Sequence, residues 1–177
     1  MRSSARVLFF NRKMTKILLL CNKGDPNEDP WWITVGGGVQ PGESFEFAAV
    51  REIKEETGVT VQQQTLRENF IGVRQATHIY RNREAQHFEQ YYYVTVALNT
   101  PDIASFTDEE KQVIKEIRWW TKEELVRTTD TIWPSNLLDL WDGAESLQKE
   151  GKHLNMPVQK QNCIDYVPSL LAAPHMH

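Results

Sequence analysis

Cysteine is scarce in this 177-residue chain: Cys21 and Cys163 are far apart and have no metal-ligand spacing. That excludes a disulfide framework and a cysteine-held zinc site, and reduced thiols in a cytoplasmic protein are the expectation. The five histidines, His78, His87, His153, His175 and His177, form no zinc-type spacing either. No apolar run approaches the length of a bilayer span, so no membrane partner is expected. The opening MRSSARVLFFN sets basic residues before an apolar run, but that run is too short for a signal peptide and reads as a strand. A net charge of −4 lacks the basic balance that general nucleic-acid binding needs. Internal repeats and low-complexity tracts are absent. Gly36-Gly37-Gly38 is not followed by Gly-Lys-Ser/Thr, which removes phosphate-loop motors and kinases.

What is present is an ordinary globular balance, 40% hydrophobic and 25% charged residues. The length suits one domain, taken as residues 1–150, followed by an irregular tail over 151–177 where the composition loosens. Ala5 to Phe10 and Lys16 to Cys21 are short β-prone runs, with Asn11 to Thr15 as the hairpin turn between them. Their unbroken apolar character predicts strands buried on both faces. Trp31 to Val35 is a third strand. Thr65 to Ile79 and His87 to Leu98 read as longer strands joined by a polar connection, Tyr80 to Gln86. Val113 to Trp120 is another strand. Thr121 to Leu125 has a capping-box shape, and Pro134 opens a last helix with Leu137, Leu138, Leu140 and Trp141 as its apolar stripe. This order predicts an α/β fold, a mixed central sheet between helices.

The densest chemistry lies in Gly36–Val59, GGGVQPGESFEFAAVREIKEETGV. Pro41-Gly42 is a turn, Ser44 an N-cap, and Gly58 a left-handed C-cap, so a helix runs from Phe45 to about Thr57. Glu52, Glu55 and Glu56 are spaced by three and four and share one face, with Val50, Ile53 and Thr57 expected on the opposite, packed face. Like charges at that spacing repel unless something positive sits among them. A hard divalent cation such as Mg²⁺ or Mn²⁺ suits a set of carboxylate oxygens. An isolated acidic run would read as a solvated helix face. The spacing G-x5-E-x7-R-E-φ-x-E-E-x-G-φ, with φ aliphatic, changes that reading. At average residue usage one window matches by chance at roughly 10⁻⁹ to 10⁻¹⁰.

The run resembles the Nudix box of the Nudix hydrolases, complete from Gly37 to Val59. The resemblance implies a Nudix-type α/β/α sandwich and hydrolysis of a nucleoside diphosphate linked to a further group X, with Mg²⁺ or Mn²⁺ as cofactor. It implies metal ligands at Glu52, Glu55, Glu56 and the Gly36 carbonyl. Glu52 and Glu55 would be catalytic, with Arg51 holding the glutamates by ion pairs to Glu55 or Glu43. A glutamate outside the box, from Glu109, Glu110 or Glu116, would join the site in some members. Val35 departs from the proline that many members carry before the paired glycines.

On the substrate side, Arg67, Arg74, Arg81 and Arg83 are candidates for the distal phosphate or X, with surface solubility as the plainer role for each. Trp31, Trp32 and Tyr91 to Tyr93 offer stacking faces, with packing as the plainer role. Arg74, Arg81 and Trp32 are the selected candidates. Marks of the ADP-ribose and dinucleoside polyphosphate subfamilies are missing: Gln75 stands at the proline position, and the next tyrosine is Tyr80. The small-molecule nucleotide substrate is therefore read as a nucleoside triphosphate, giving a pyrophosphohydrolase. An ADP-ribose or nucleotide-sugar pyrophosphatase, or a non-catalytic nucleotide-sensing module, stays open beside it. Nothing in the sequence selects an oligomeric state.

Overall fold

The structure is a computed structural model that describes residues 1–22, 29–80, 83–97, 114–151 and 163–166. Among the described residues eight strands form one mixed sheet: β1 Arg2–Asn11, β2 Ile17–Asn22, β3 Trp31–Gly38, β4 Phe70–Tyr80, β5 Arg83–Val96, β6 Ile114–Trp120, β7 Thr131–Trp133 and β8 Cys163–Tyr166. The order is β6-β2-β3-β1-β5-β4-β8, with β7 joined in parallel to the start of β3. Among the described residues four helices accompany it: α1 Phe45–Thr57, α2 Gln63–Glu68, α3 Lys122–Arg127 and α4 Leu137–Glu150.

Two hydrophobic layers lie on the two faces of the sheet. Ala5, Val7 and Phe9 of β1 pack with Ala48, Ala49 and Ile53 of α1. Leu8 and Phe10 of the same strand pack with Leu137, Trp141, Ala144 and Leu147 of α4. The period-two alternation of a strand therefore feeds both layers, which is why β1 and β2 read as continuous apolar runs. The result is the expected mixed-sheet α/β sandwich.

The helix ends follow their sequence signals. Ser44 Oγ accepts the Phe47 N–H at 3.1 Å, and Gly58 closes α1 at φ 75° with its N–H on the Lys54 carbonyl. Thr121 and Glu124 form the reciprocal capping box that starts α3. Asn11 to Thr15 turns the first hairpin, the Asn11 Oδ1 accepting the N–H groups of Thr15 and Lys16.

Several boundaries differ from the sequence expectation. Thr65 to Glu68 belongs to α2, and β4 starts only at Phe70. The mostly polar run QQQTLRE forms a short helix that buries only Leu66, and its period is hidden in so few turns. The connection after β4 is shorter than expected, because the ladder still pairs Tyr80 with Arg83. From the segment expected to be irregular, Cys163–Tyr166 adds a parallel strand at the β4 edge. Among the described residues no helix is long and apolar enough to cross a membrane.

Candidate active site

β3 runs directly into the glycines, and α1 returns over its end, so the turn and the helix carboxylates meet by topology. Arg6 of β1 stands opposite Gly36 in the antiparallel ladder. Gly36 has φ 129°, and a Cβ there would overlap the Ala5 carbonyl oxygen. Only glycine supplies both that dihedral and that close approach. Gly37 is required for a different reason: its missing Cβ leaves room for the Glu52 carboxylate.

Glu52 and Glu56 flank this turn. The Gly36 N–H donates to Glu56 Oε2 at 2.8 Å. Both side chains are buried beside Ala48, Ala49, Ile53 and Thr57, whereas Glu55 is half exposed. This corrects the expected division of α1 into a packed face and a separate acidic face. Rows spaced by four lie side by side on a helix, so 48-52-56 and 49-53-57 both turn toward the sheet, and the acids meet the turn at its rim. Ala48 and Ala49, both fully buried, let the sheet approach the helix closely.

Arg51 ties the carboxylates together. Its Nε donates to Glu43 Oε1 at 2.8 Å and its Nη2 to Glu43 Oε2 at 3.0 Å, a bidentate pair. Nη1 donates to Glu52 Oε1 at 2.7 Å and to Glu55 Oε2 at 3.2 Å. Nη2 also reaches the Gly38 carbonyl at 3.0 Å. One guanidinium thus binds three acids and the glycine turn, where the sequence offered a choice between two partners. The Glu43 hydrogen bonds hold the Arg51 pKa above its ordinary range, and Arg51 holds Glu43 below the usual carboxylate value. Burial pushes Glu52 up, against the pull of Arg51.

The donor set suits a hard cation. Glu52, Glu55, Glu56 and the Gly36 carbonyl present only oxygen, as Mg²⁺ and Mn²⁺ prefer. Among the described residues no three acidic, histidine or cysteine side chains already form a closed metal cluster. Arg51 and the Gly36 N–H hold the carboxylates, and the Gly36 carbonyl accepts from Arg6 Nη1 at 2.7 Å.

The remaining candidates separate clearly. Glu116 pairs with Cys21, which pairs with Trp32. Trp32 lies four residues before Gly36, about 13 Å along a strand, and Glu116 is exposed at that far end. It does not reach the turn. Glu109, Glu110 and Arg81 lie outside the described residues. Trp32 is buried, donating from Nε1 to Asp130 Oδ2 at 3.0 Å and meeting Trp120 edge-on. Arg74, expected at the surface in its plainer role, is buried instead. Its Nη1 reaches Glu89 Oε2 at 3.2 Å, and its guanidinium lies 4.7 Å from the Trp133 ring centre. Arg67 stays exposed on α2. Trp31 and Tyr91 to Tyr93 are packed in the two layers.

Sequence reasoning passed over Arg6 and Glu89, both buried and facing each other across β1 and β5. The signal was partial: Arg6 is a charged residue inside the apolar run Ala5 to Phe10, whereas Glu89 stands in the polar half of β5, two residues before Tyr91.

A family model described as NUDIX domain matches residues 1–141. No curated protein matches the chain in sequence. Among solved structures, a NUDIX hydrolase from Nitrosomonas europaea is similar at 16% identity, with TM-score 0.62, over 82% of this chain and 88% of that one. An Ap4A hydrolase from C. elegans is similar at 16% identity, TM-score 0.55, covering 85% and 99%. The NUDIX domain of Shewanella oneidensis NrtR, solved with ADP ribose, is similar at 15% identity, TM-score 0.58, covering 81% and 86%. At these identities the likeness is one of fold.

Proposed function

The chain belongs to the Nudix family of hydrolases, and from that premise we propose that it cleaves a nucleoside triphosphate-type substrate to the monophosphate and pyrophosphate. The observation that carries the reading is the single Arg51 guanidinium bound to Glu43, Glu52 and Glu55 while Glu56 is held at the Gly36 N–H. A helix with no catalytic duty has no reason to gather four acids around one arginine and a glycine turn.

Glu52, Glu55, Glu56 and the Gly36 carbonyl would hold the divalent ion, magnesium or manganese. When bound, such an ion neutralises phosphate charge and acidifies a water. Arg51 keeps Glu52 and Glu55 in fixed orientations, which limits the reorganisation needed as the reaction proceeds. Water oxygen bonds to a phosphorus atom of the diphosphate, the bridging P–O bond breaks, and Glu52 or Glu55 takes the water proton. Charge stabilisation and positioning supply most of the rate in such chemistry. On the substrate side, Arg74 and Trp32 are the proposed contacts among the described residues, both set like Arg6 on the α4-facing side of the sheet.

The missing ADP-ribose and dinucleoside polyphosphate marks support a triphosphate substrate. Product analysis on a nucleotide panel tests it: pyrophosphate with a monophosphate supports the reading. Two phosphorylated fragments without pyrophosphate would identify a nucleotide-sugar or ADP-ribose pyrophosphatase instead. Glu56→Gln is expected to lower Mg²⁺-dependent turnover by about 10²-fold or more, the scale of removing one preorganised electrostatic group. Unchanged turnover in that variant would refute the ligand assignment.

A further inference from the structure

The α4-facing side of the sheet carries a charged cluster that the box does not use. Arg6, Arg74 and Glu89 are 5%, 2% and 1% exposed and lie on three adjacent strands, β1, β4 and β5. Glu89 accepts from Arg74 Nη1 at 3.2 Å and from the Tyr91 hydroxyl at 2.9 Å, and lies 4.0 Å from Arg6 Nε. Two guanidinium groups thus flank one carboxylate within a buried site. Arg2 adds a further cation nearby, and its charge and that of Arg6 help burial to depress His87.

Arg6 Nε in this cluster and Thr34 Oγ1 on the neighbouring strand β3 lack hydrogen-bond partners among the described residues. Arg6 Nε is fully enclosed, its nearest acid oxygen at 4.0 Å. Thr34 Oγ1 is likewise enclosed on a residue with 0% exposure. Thr34 precedes Gly36 by two residues and so faces the same side of β3, and Arg6 Nη1 donates to the Gly36 and Thr34 carbonyls at 2.7 and 3.4 Å. Burying a donor without a partner costs about 1–3 kcal/mol. A purely structural Arg–Glu–Arg cluster would gain from replacement by apolar residues of similar volume. Both unmet groups stand next to the catalytic turn, and both can donate to oxygen.

We propose that Arg6 and Thr34 form a substrate-reading pair whose Nε–H and hydroxyl take an oxygen acceptor of the bound nucleotide. The acceptor is a carbonyl oxygen of the nucleobase or a non-bridging phosphate oxygen. Two donors favour either over an exocyclic amino group, which would bring a donor against a donor. This inference rests on the nucleotide-hydrolase reading for the identity of the ligand, but not on turnover.

The test is calorimetric binding of GMP, UMP, AMP and inorganic tripolyphosphate to the full chain in Mg²⁺, none of which requires hydrolysis of a nucleoside triphosphate. Thr34→Val removes one hydroxyl without changing shape and is expected to weaken binding about five- to tenfold, one hydrogen bond's worth. Arg6→Gln is expected to weaken it further. Loss for GMP and UMP with AMP unchanged assigns the acceptor to a base carbonyl. Equal loss for all four probes assigns it to phosphate. Binding within twofold of wild type for every probe in Thr34→Val overturns the proposal, and so does a wild type that binds none of them. Should Arg6→Gln fail to fold, Thr34→Val alone decides. A wild type that hydrolyses no nucleotide yet shows the Thr34→Val loss would sink the hydrolase reading and leave the reading pair standing.

Discussion

Replacing Arg51 by Met keeps the side-chain length and removes the charge that holds the box together. Five hydrogen bonds disappear: two to Glu43, one each to Glu52 and Glu55, and one to the Gly38 carbonyl. Hydrogen bonds to charged groups contribute about 1.5–3 kcal/mol each when well buried. The Arg51 side chain is 19% exposed and that of Glu55 36%, so solvent screens part of this. Counting the Glu43 pair and the Glu52 bond at about 1 kcal/mol apiece gives a loss of about 3 kcal/mol in metal-free buffer. For a chain of this size that is a fall of about 6–12 °C in melting temperature. Urea denaturation with EDTA measures it directly. Repeating the titration in Mg²⁺ gives the sharper result, because an ion among Glu52, Glu55 and Glu56 restores positive charge to the same acids. The deficit of Arg51→Met should shrink in Mg²⁺. A loss below about 1 kcal/mol in EDTA, or a deficit that Mg²⁺ leaves untouched, would refute the view of Arg51 as the charge keeping these carboxylates together.

Two further outcomes follow from the same geometry. Gly37→Ala places its Cβ against the end of the flexible Glu52 side chain, not against backbone. It should fold with a melting temperature near wild type while Mn²⁺ affinity falls about 10–100-fold, the range for disturbing a ligand's support; unchanged Mn²⁺ binding by electron paramagnetic resonance would refute it. His87 is held below its ordinary 6.5 first by burial, with Arg2 and Arg6 adding to it against Glu89. The unfolded chain then binds more protons at this site, so stability declines as pH falls through 6.5 toward the depressed folded value. His87→Gln should show a shallower decline over that window in urea titrations, and identical slopes would remove His87 as the cause.

How much of the site could be read from residues alone varies by group. The Ser44 and Gly58 caps, the Thr121–Glu124 box and the first hairpin rest on local chemistry and were legible. The glycine turn and the carboxylates of α1 were legible by spacing. The packing of Glu52 and Glu56 was not, because helical periodicity ranks positions around one axis without saying how wide an arc the sheet will cover. Helix α2 escaped because six residues with a single apolar position, Leu66, carry too little period. Arg74 looked like a surface arginine because its partner, Glu89, is fifteen residues away and meets it only across the β4–β5 ladder. Glu116 stayed open as one of three candidate glutamates outside the box. The register of β6 against β2 sets it at the wrong end of the sheet.

By itself, then, the sequence determined the glycine turn and carboxylate helix of Gly36–Val59, the proposed metal site. Its spacing is carried by one turn and one helix, where residues three and four apart must be neighbours. Tertiary structure alone decided what surrounds that machinery. Strand order sets Arg6 opposite Gly36, and the β1–β5–β4 ladders bring Glu89 to Arg6 and Arg74. Contacts across a sheet depend on register and on which face each residue takes, and neither is encoded in the local spacing of any one strand.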